Sequence, residues 1–301
     1  MVTFDNRATL KMASILYCGD SELTTAASYL AVLMTDWGWQ FDYMPSCLPM
    51  SKARMEEPRS LIILSDYPAN HFDSGCQQLA LQQIEHGCGL LMIGGWESFH
   101  GLGGDWDGTK LGAALPVEIQ STDDRVNFAQ SAWLVPSVDH PTVAKLPWFS
   151  NPPAIGGMNR VKAKPDSTIV LNAHSFAVSA NPSPSGSNRV EPELSFDFRE
   201  SLPALVVGQH GKGRTAAFLS DVAPHWIGGL VDWGTPRVTA QAGYRRIQTQ
   251  TGNAATETLR KKKNSVEVCV DHEVHLTVEV GCHYAQFWKQ LIEWTSGSPQ
   301  P

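Results

Sequence analysis

Apolar positions early in the chain fall into short runs separated by longer stretches of helical period. Residues 14–18 form a compact apolar run that ends in Gly19-Asp20, the signature of a first strand. From Ser21 onward Leu23, Ala26, Ala27, Leu30, Leu33 and Met34 recur at helical spacing, with Asp20 or Ser21 placed to cap the helix and Gly38 to end it. Residues 39–43 predict a second strand. Residues 60–64 predict a buried third strand that runs into Ser65-Asp66-Tyr67-Pro68. A helix over 73–85 and a strand over 87–93 complete a βαβαβ alternation, which predicts a parallel sheet with helices on both faces.

The last of these strands stops at Gly94-Gly95-Trp96-Glu97-Ser98-Phe99, a sharp turn at the carboxyl end of a strand, where open α/β sheets usually place their chemistry. A glycine-rich loop, 101–108, follows it. Beyond lie shorter strands and proline turns, a polar excursion at 181–189, and a hairpin made of 202–208 and 214–220. Residues 239–264 are polar, weak in apolar period and close on Arg260-Lys261-Lys262-Lys263, and they predict a flexible, solvated insertion. Alternation of Val266, Val268, Val270 with Val274, Leu276, Val278 and Val280 predicts a β-hairpin over 265–280 turning at Asp271-His272-Glu273. An apolar face of Phe287, Leu291, Ile292 and Trp294 predicts a helix over 283–294. The whole chain, 1–301, is expected to form one domain with β-rich additions.

Composition narrows the partners. The 301 residues are 42% hydrophobic and 18% charged, with a formal charge of −7 and a pI near 5.8. This argues against a nucleic-acid or anionic-membrane surface. No run of 18 apolar residues predicts a transmembrane helix, and the first residues lack the apolar core of a secretory signal. Six cysteines without Cys-x-x-Cys spacing predict reduced thiols in a cytoplasmic protein.

The chain resembles the putative glutamine amidotransferase family, a branch of the class I glutamine amidotransferase-like superfamily. Four groups of residues carry the resemblance. They are Ile15-Leu16-Tyr17-Cys18-Gly19-Asp20, Leu61-Ile62-Ile63-Leu64-Ser65-Asp66-Tyr67-Pro68, the Gly94 to Gly104 segment with Asp139-His140-Pro141, and Ser220-Asp221-x-Ala223-Pro224-His225-Trp226 with Phe287-Trp288 and Trp294. It implies a flavodoxin-like α/β sandwich with its site at the strand carboxyl ends. An active member of the superfamily resembles Gly-x-Cys-x-Gly at a strand-to-helix elbow, with a late His-x-Glu pair. The elbow exposes a thiol whose pKa the helix N-terminus lowers, and the histidine takes its proton. Here the elbow position carries Trp96 and Glu97, and His225 is followed by Trp226 and Ile227. Both motifs depart from the glutaminase pattern.

The remaining candidates each have a chemical and a structural reading. Glu97 is a general base or a ligand for a hydroxyl or amine, or an acid stabilising a helix N-terminus. Ser98 is a nucleophile or a cap. His225 is a general base, an orienter of Glu97, or a turn residue. Asp20 and Asp66 end neighbouring strands, where several carboxylates shift one another's pKa, bind a cation, or simply form Asx turns. Cys18 is the one cysteine near a strand end, a nucleophile or a packed thiol. Cys269, His272, His275, Cys282 and His283 invite a zinc reading that their spacing does not match, so no metal is expected. The loop over 101–108 lacks the Lys-Ser/Thr of a P-loop and is read as structural. No cofactor is expected.

Three functions follow. One is a non-glutaminase protein that binds a small polar ligand through Gly94, Gly95, Trp96, Ser98, Asp20, Asp66 and Asp221 beside Glu97 and His225. Another is a hydrolase or amidotransferase that uses Glu97 and His225 as an acid/base pair. The third is an interaction or scaffold protein. By analogy a homo-oligomer is expected.

Overall fold

The structure is a computed structural model, and it describes residues 14–182, 192–248 and 270–297. In chain order its first half comprises β1 (Ser14–Gly19), α1 (Ala27–Asp36), β2 (Phe41–Met44), α2 (Lys52–Met55), β3 (Arg59–Ser65), α3 (Ser74–Glu85) and β4 (Gly89–Ile93). Then come α4 (Lys110–Ala114), β5 (Val117–Glu118), β6 (Arg125–Pro136), β7 (Ala154–Asn159), β8 (Lys162–Ala163), β9 (Thr168–Pro182), β10 (Pro192–His210) and β11 (Gly213–Phe218). The chain closes with α5 (Pro224–Ile227), β12 (Arg237–Gln248), β13 (Val270–Gly281) and α6 (Cys282–Thr295).

A nine-stranded sheet runs β2-β1-β3-β4-β11-β10-β9-β6-β7. From β2 to β11 every pairing is parallel; from β11 to β7 every pairing is antiparallel. The parallel sheet expected of the βαβαβ segment is present as β2-β1-β3-β4, and the antiparallel strands beyond β11 make the whole sheet a mixed one. The parallel strands are buried on both faces, which is why they read as continuous apolar runs. Leu16, Tyr17, Cys18, Leu61, Ile62, Ile63 and Leu90 to Ile93 are all closed to solvent. The crossover from β1 to β2 and that from β3 to β4 run in opposite directions along the sheet. Right-handed connections then set α1 and α3 on opposite faces. Asp73 caps α3 by accepting the Cys76 N–H at 2.7 Å, a contact worth about 1 kcal/mol. On the other face, Phe287 and Trp288 of α6 meet Phe218 of β11 at ring-centroid distances of 5.4 and 5.2 Å.

Three local expectations are corrected. Residues 21–26 form turns and α1 starts only at Ala27, because Asp20 does not cap it. The Asp20 carbonyl instead accepts the Ser46 amide at 2.8 Å, and the Tyr43 hydroxyl at 2.8 Å, which ties it to the loop after β2. Residues 239–248, expected to be insertion, belong to β12; Val238, Ala240 and Ala242 alternate with polar residues, and the small alanines hide the strand period. Its partner is β13, in register from Arg237↔Gly281 to Gln248↔Val270. So 270–280 is one strand that passes straight through Asp271-His272-Glu273, and the expected turn there does not exist. Residues 249–264 and 265–269, and 183–189 of the polar excursion, lie outside the described residues.

Candidate functional site

The parallel register brings four strand ends to one edge. Gly19 is paired with Ser65, Ser65 with Ile93, and Ile93 with Phe218. The residues that follow these strands (Asp20, Asp66, Gly94 to Glu97, and Ser220-Asp221) therefore converge. Asp20 and Asp66 both turn into left-handed backbone, at φ 50° and 49°. That region is sparsely populated by residues other than glycine, and aspartate is among the side chains that tolerate it.

The expected strand-to-helix elbow is absent. Residues 95–104 are turns, and the next helix starts at Lys110. The reason lies in what captures the amides. Gly95 N–H donates to Asn159 Oδ1 at 2.9 Å and Glu97 N–H to Asp66 Oδ1 at 2.7 Å. His100 and Gly101 N–H donate to the two Asp124 carboxylate oxygens at 3.1 and 3.0 Å. Each donor is satisfied by a side chain from a distant strand or loop rather than by a helix. Ser98 does not cap a helix either; it is buried, and its Oγ accepts the Asp66 N–H at 2.9 Å. Asn159 closes the arrangement by donating to the Gly95 carbonyl at 3.1 Å and to Asp124 at 2.8 Å.

Both site glycines are required by close approach. A Cβ at Gly94 would lie 2.3 Å from the Leu219 carbonyl oxygen, and one at Gly95 would lie 2.1 Å from Asp66 Oδ1.

The electrostatics follow from crowded, half-desolvated carboxyl groups. Burial pushes Asp20 up to about 8, helped by Asp66, Asp221 and Glu97. Asp66 is raised by burial and then by Asp221, against the lowering effect of the Glu97 amide. Asp221 is raised by burial, offset by the amides of Ala223 and Val222. Glu97 is raised by burial, and His71 draws it back down. His71 itself is fixed by donation from Nδ1 to the Ser46 carbonyl at 2.6 Å.

His225 stands at the start of the short helix α5. Its Nδ1 lies 3.9 Å from Asp221 Oδ2, and its side chain is 76% exposed. Glu97 and His225 both act on the charge of Asp66, while His225 stands beside Asp221 and His71 acts on Glu97. Trp96 projects outward at 57% exposure, and the Arg125 guanidinium covers its ring at 4.4 Å. Arg125 is steadied by Asp123 through contacts of 2.9 and 2.8 Å.

Other candidates are sealed or anchored. Cys18 is closed to solvent and burial raises its thiol far above the ordinary range. The loop over 101–108 is anchored rather than open: Trp106 is fully buried and its indole donates to the Tyr67 carbonyl at 2.9 Å, while Asp107 holds His100 at 2.7 Å. Among the described residues no three His, Cys, Asp or Glu side chains are grouped to hold a metal ion. Cys269 and the His272 side chain lie outside the described residues, and the His283 ring packs on Trp233 at 5.3 Å.

Sequence reasoning missed Asn159, Asp124, His71 and Arg125. Asn159 ends β7 and had no local signal, because its role depends on β7 reaching the Gly95 turn across the sheet end.

Comparison with known proteins places this architecture. A family model described as "Putative glutamine amidotransferase" matches residues 18–179 and 187–240. Two solved structures from Salmonella typhimurium are similar to the chain. The cytoplasmic protein STM3548 is 25% identical with a TM-score of 0.53, covering 71% of this chain and 89% of its own. The cytoplasmic protein STM1381 of strain LT2 is 26% identical with a TM-score of 0.55, covering 71% and 90%. No curated protein matches the chain.

Proposed function

The chain belongs to the family described as "Putative glutamine amidotransferase", and we propose that within it this protein binds a small polar ligand at the carboxyl ends of its parallel strands without hydrolysing glutamine. The parallel order β2-β1-β3-β4-β11 supports a flavodoxin-like reading of that half of the sheet, in which ligands sit outside the strand carboxyl ends. One observation carries the ligand reading. Among the described residues, Asp20 Oδ2 is buried and has no hydrogen-bond partner, and the carboxyl groups of Asp66, Asp221 and Glu97 act on it. A buried acceptor left unpaired costs about 1–3 kcal/mol, a debt that a bound donor would cancel. An ammonium or hydroxyl group fits, since each donates hydrogen bonds to carboxyl oxygens.

The absence of glutaminase chemistry rests on the turn itself. A thiol nucleophile needs exposure and a lowered pKa. The cysteine nearest the site, Cys18, has neither, and the Trp96-Glu97 turn opens no helix whose N-terminus could stabilise a thiolate. The labels of the Salmonella proteins support a cytoplasmic location for this chain as well.

The test has two arms. Ammonia release from glutamine by the wild type, lost in Cys18→Ala, would overturn the non-glutaminase reading. Thermal-shift titration with ethylamine, glycerol and L-glutamine addresses the ligand. Stabilisation by one of them, abolished in Asp66→Asn, is the expected result; no shift from any probe removes the ammonium-or-hydroxyl assignment. Turnover that requires Glu97 and His225 would establish the acid/base hydrolase instead.

A further inference from the structure

We propose that the ligand at the strand ends presents a neutral hydroxyl group, held between the Tyr17 phenol and the Asp20 carboxyl, and that an ammonium group does not fit there. This rests on the reading above that the site takes a small polar ligand.

Three phenols gather near these strand ends, and they differ in what they bond. Tyr43 Oη donates to the carbonyls of Gly19 and Asp20 at 2.7 and 2.8 Å. Tyr284 Oη donates to the Val222 carbonyl, one residue past Asp221, at 2.6 Å. Tyr17 sits opposite Tyr43 in the β1–β2 register, and their rings meet edge to face with centroids 5.8 Å apart. Yet Tyr17 is fully buried, and among the described residues its Oη has no hydrogen-bond partner. A buried tyrosine hydroxyl usually finds one.

Two further atoms share this condition. Asp20 Oδ2 and Ser65 Oγ are also buried and unpartnered among the described residues. The β1–β3 register pairs Tyr17 with Ile63 and Gly19 with Ser65, so Ser65 comes to the same sheet face as Tyr17, two positions nearer the strand end. Asp20 follows directly on Gly19, and of the charged groups around the Tyr17 phenol it acts most strongly. The phenol and the carboxyl thus lie within electrostatic reach of one another, and neither bonds the other. All three atoms are closed to bulk water, so the seat suits a small terminal group.

The chemistry of these atoms selects the occupant. A phenol has a proton to give. A hydroxyl accepts that proton through a lone pair and gives its own to an oxygen of Asp20 or Ser65. An ammonium group has donors only. It would leave the Tyr17 proton without an acceptor, the costly arrangement for a buried group. Burial and the neighbouring carboxyl groups also push Asp20 up to about 8, so the negative charge on Asp20 that would draw a cation is missing at neutral pH. A hydroxyl bonds Asp20 in either state, because a protonated carboxyl both donates and accepts.

Ligand-observed saturation-transfer NMR at neutral pH tests this with ethanol and ethylamine, which differ only in the hydroxyl and the ammonium, and with glycerol. Ethanol and glycerol are expected to bind, and ethylamine is not. Tyr17→Phe should raise the dissociation constant of glycerol about 10-fold while its melting temperature stays native, because the lost hydroxyl has no partner among the described residues. Ser65→Ala should weaken glycerol in the same direction, and it decides the matter if Tyr17→Phe does not fold. Binding of ethylamine, alone or as tightly as ethanol, overturns the hydroxyl assignment and leaves the polar-ligand reading standing. Glycerol binding that survives Tyr17→Phe and Ser65→Ala but is lost in Asp66→Asn does the same. Binding by no probe overturns both. A loss of stability in Tyr17→Phe with glycerol affinity unchanged would mean that the phenol holds an ordered water only, and it also overturns the proposal.

Discussion

The main-chain N–H of Glu97 donates to Oδ1 of Asp66 at 2.7 Å, and the same carboxylate oxygen lies where a Cβ on Gly95 would have to go, 2.1 Å away. One aspartate at the end of β3 thus shapes the turn at the end of β4, and the turn in turn admits only glycine at its second position. The contact links the cluster of carboxyl groups to the backbone geometry of the turn.

Gly95→Ala should therefore destabilise the protein by about 1–3 kcal/mol, the usual range for forcing a methyl group into a filled site. Chemical denaturation measures it. Combining the substitution with Asp66→Ala should recover part of the loss, because the obstructing carboxylate is gone. Additive losses would mean that the two residues do not meet.

Asn159→Ala is expected to cost roughly 2–4 kcal/mol, since it leaves the Gly95 N–H and carbonyl and one Asp124 oxygen without their buried partner. The readout is again the unfolding free energy. Amide exchange at Gly95 should also accelerate, and unchanged exchange there would show that Asn159 does not hold the turn.

Stability should fall as pH rises across the neutral range. Asp20 ionises near 8 in the fold against an ordinary 3.8, so the native state keeps a proton that the unfolded chain releases. That contribution is full below about pH 4 and is lost as pH climbs through 8. Asp66 and Asp221 are shifted in the same direction and add to the slope. Asp20→Asn keeps a side chain that tolerates the left-handed backbone and removes one ionisation. Its melting temperature should decline less between pH 5 and 8 than the wild type's, each ~1 kcal/mol being worth roughly 2–4 °C. An identical slope in the variant would place the proton elsewhere.

Thiol accessibility separates the cysteines. Cys47 is exposed and should react with a maleimide within the native protein, whereas Cys18, Cys76 and Cys88 are buried and should react only on unfolding. Peptide mapping by mass spectrometry assigns the sites. Rapid native labelling of Cys18 would contradict its sealed position and reopen a thiol mechanism.

Much of the fold and part of the site were legible along the chain. The apolar runs of β1, β3 and β4 and the helical period of α3 and α6 are local signals, and each strand's end marks a turn. They place Asp20, Asp66, Glu97 and Asp221 just past strand ends, because a parallel strand buried on both faces has to stop where its polar residues begin. Tertiary structure decided what those residues do. Whether Glu97 opens a helix depends on Asp66 and Asp124 reaching its turn, and the hold on the Gly95 turn depends on Asn159 arriving from β7. The β12–β13 pairing escaped local reading for the same reason, since its partners lie far apart in sequence. Periodicity is written in neighbouring residues; hydrogen-bond capture and strand partnership are settled between distant ones, where competition among donors, acceptors and packing faces selects a single arrangement.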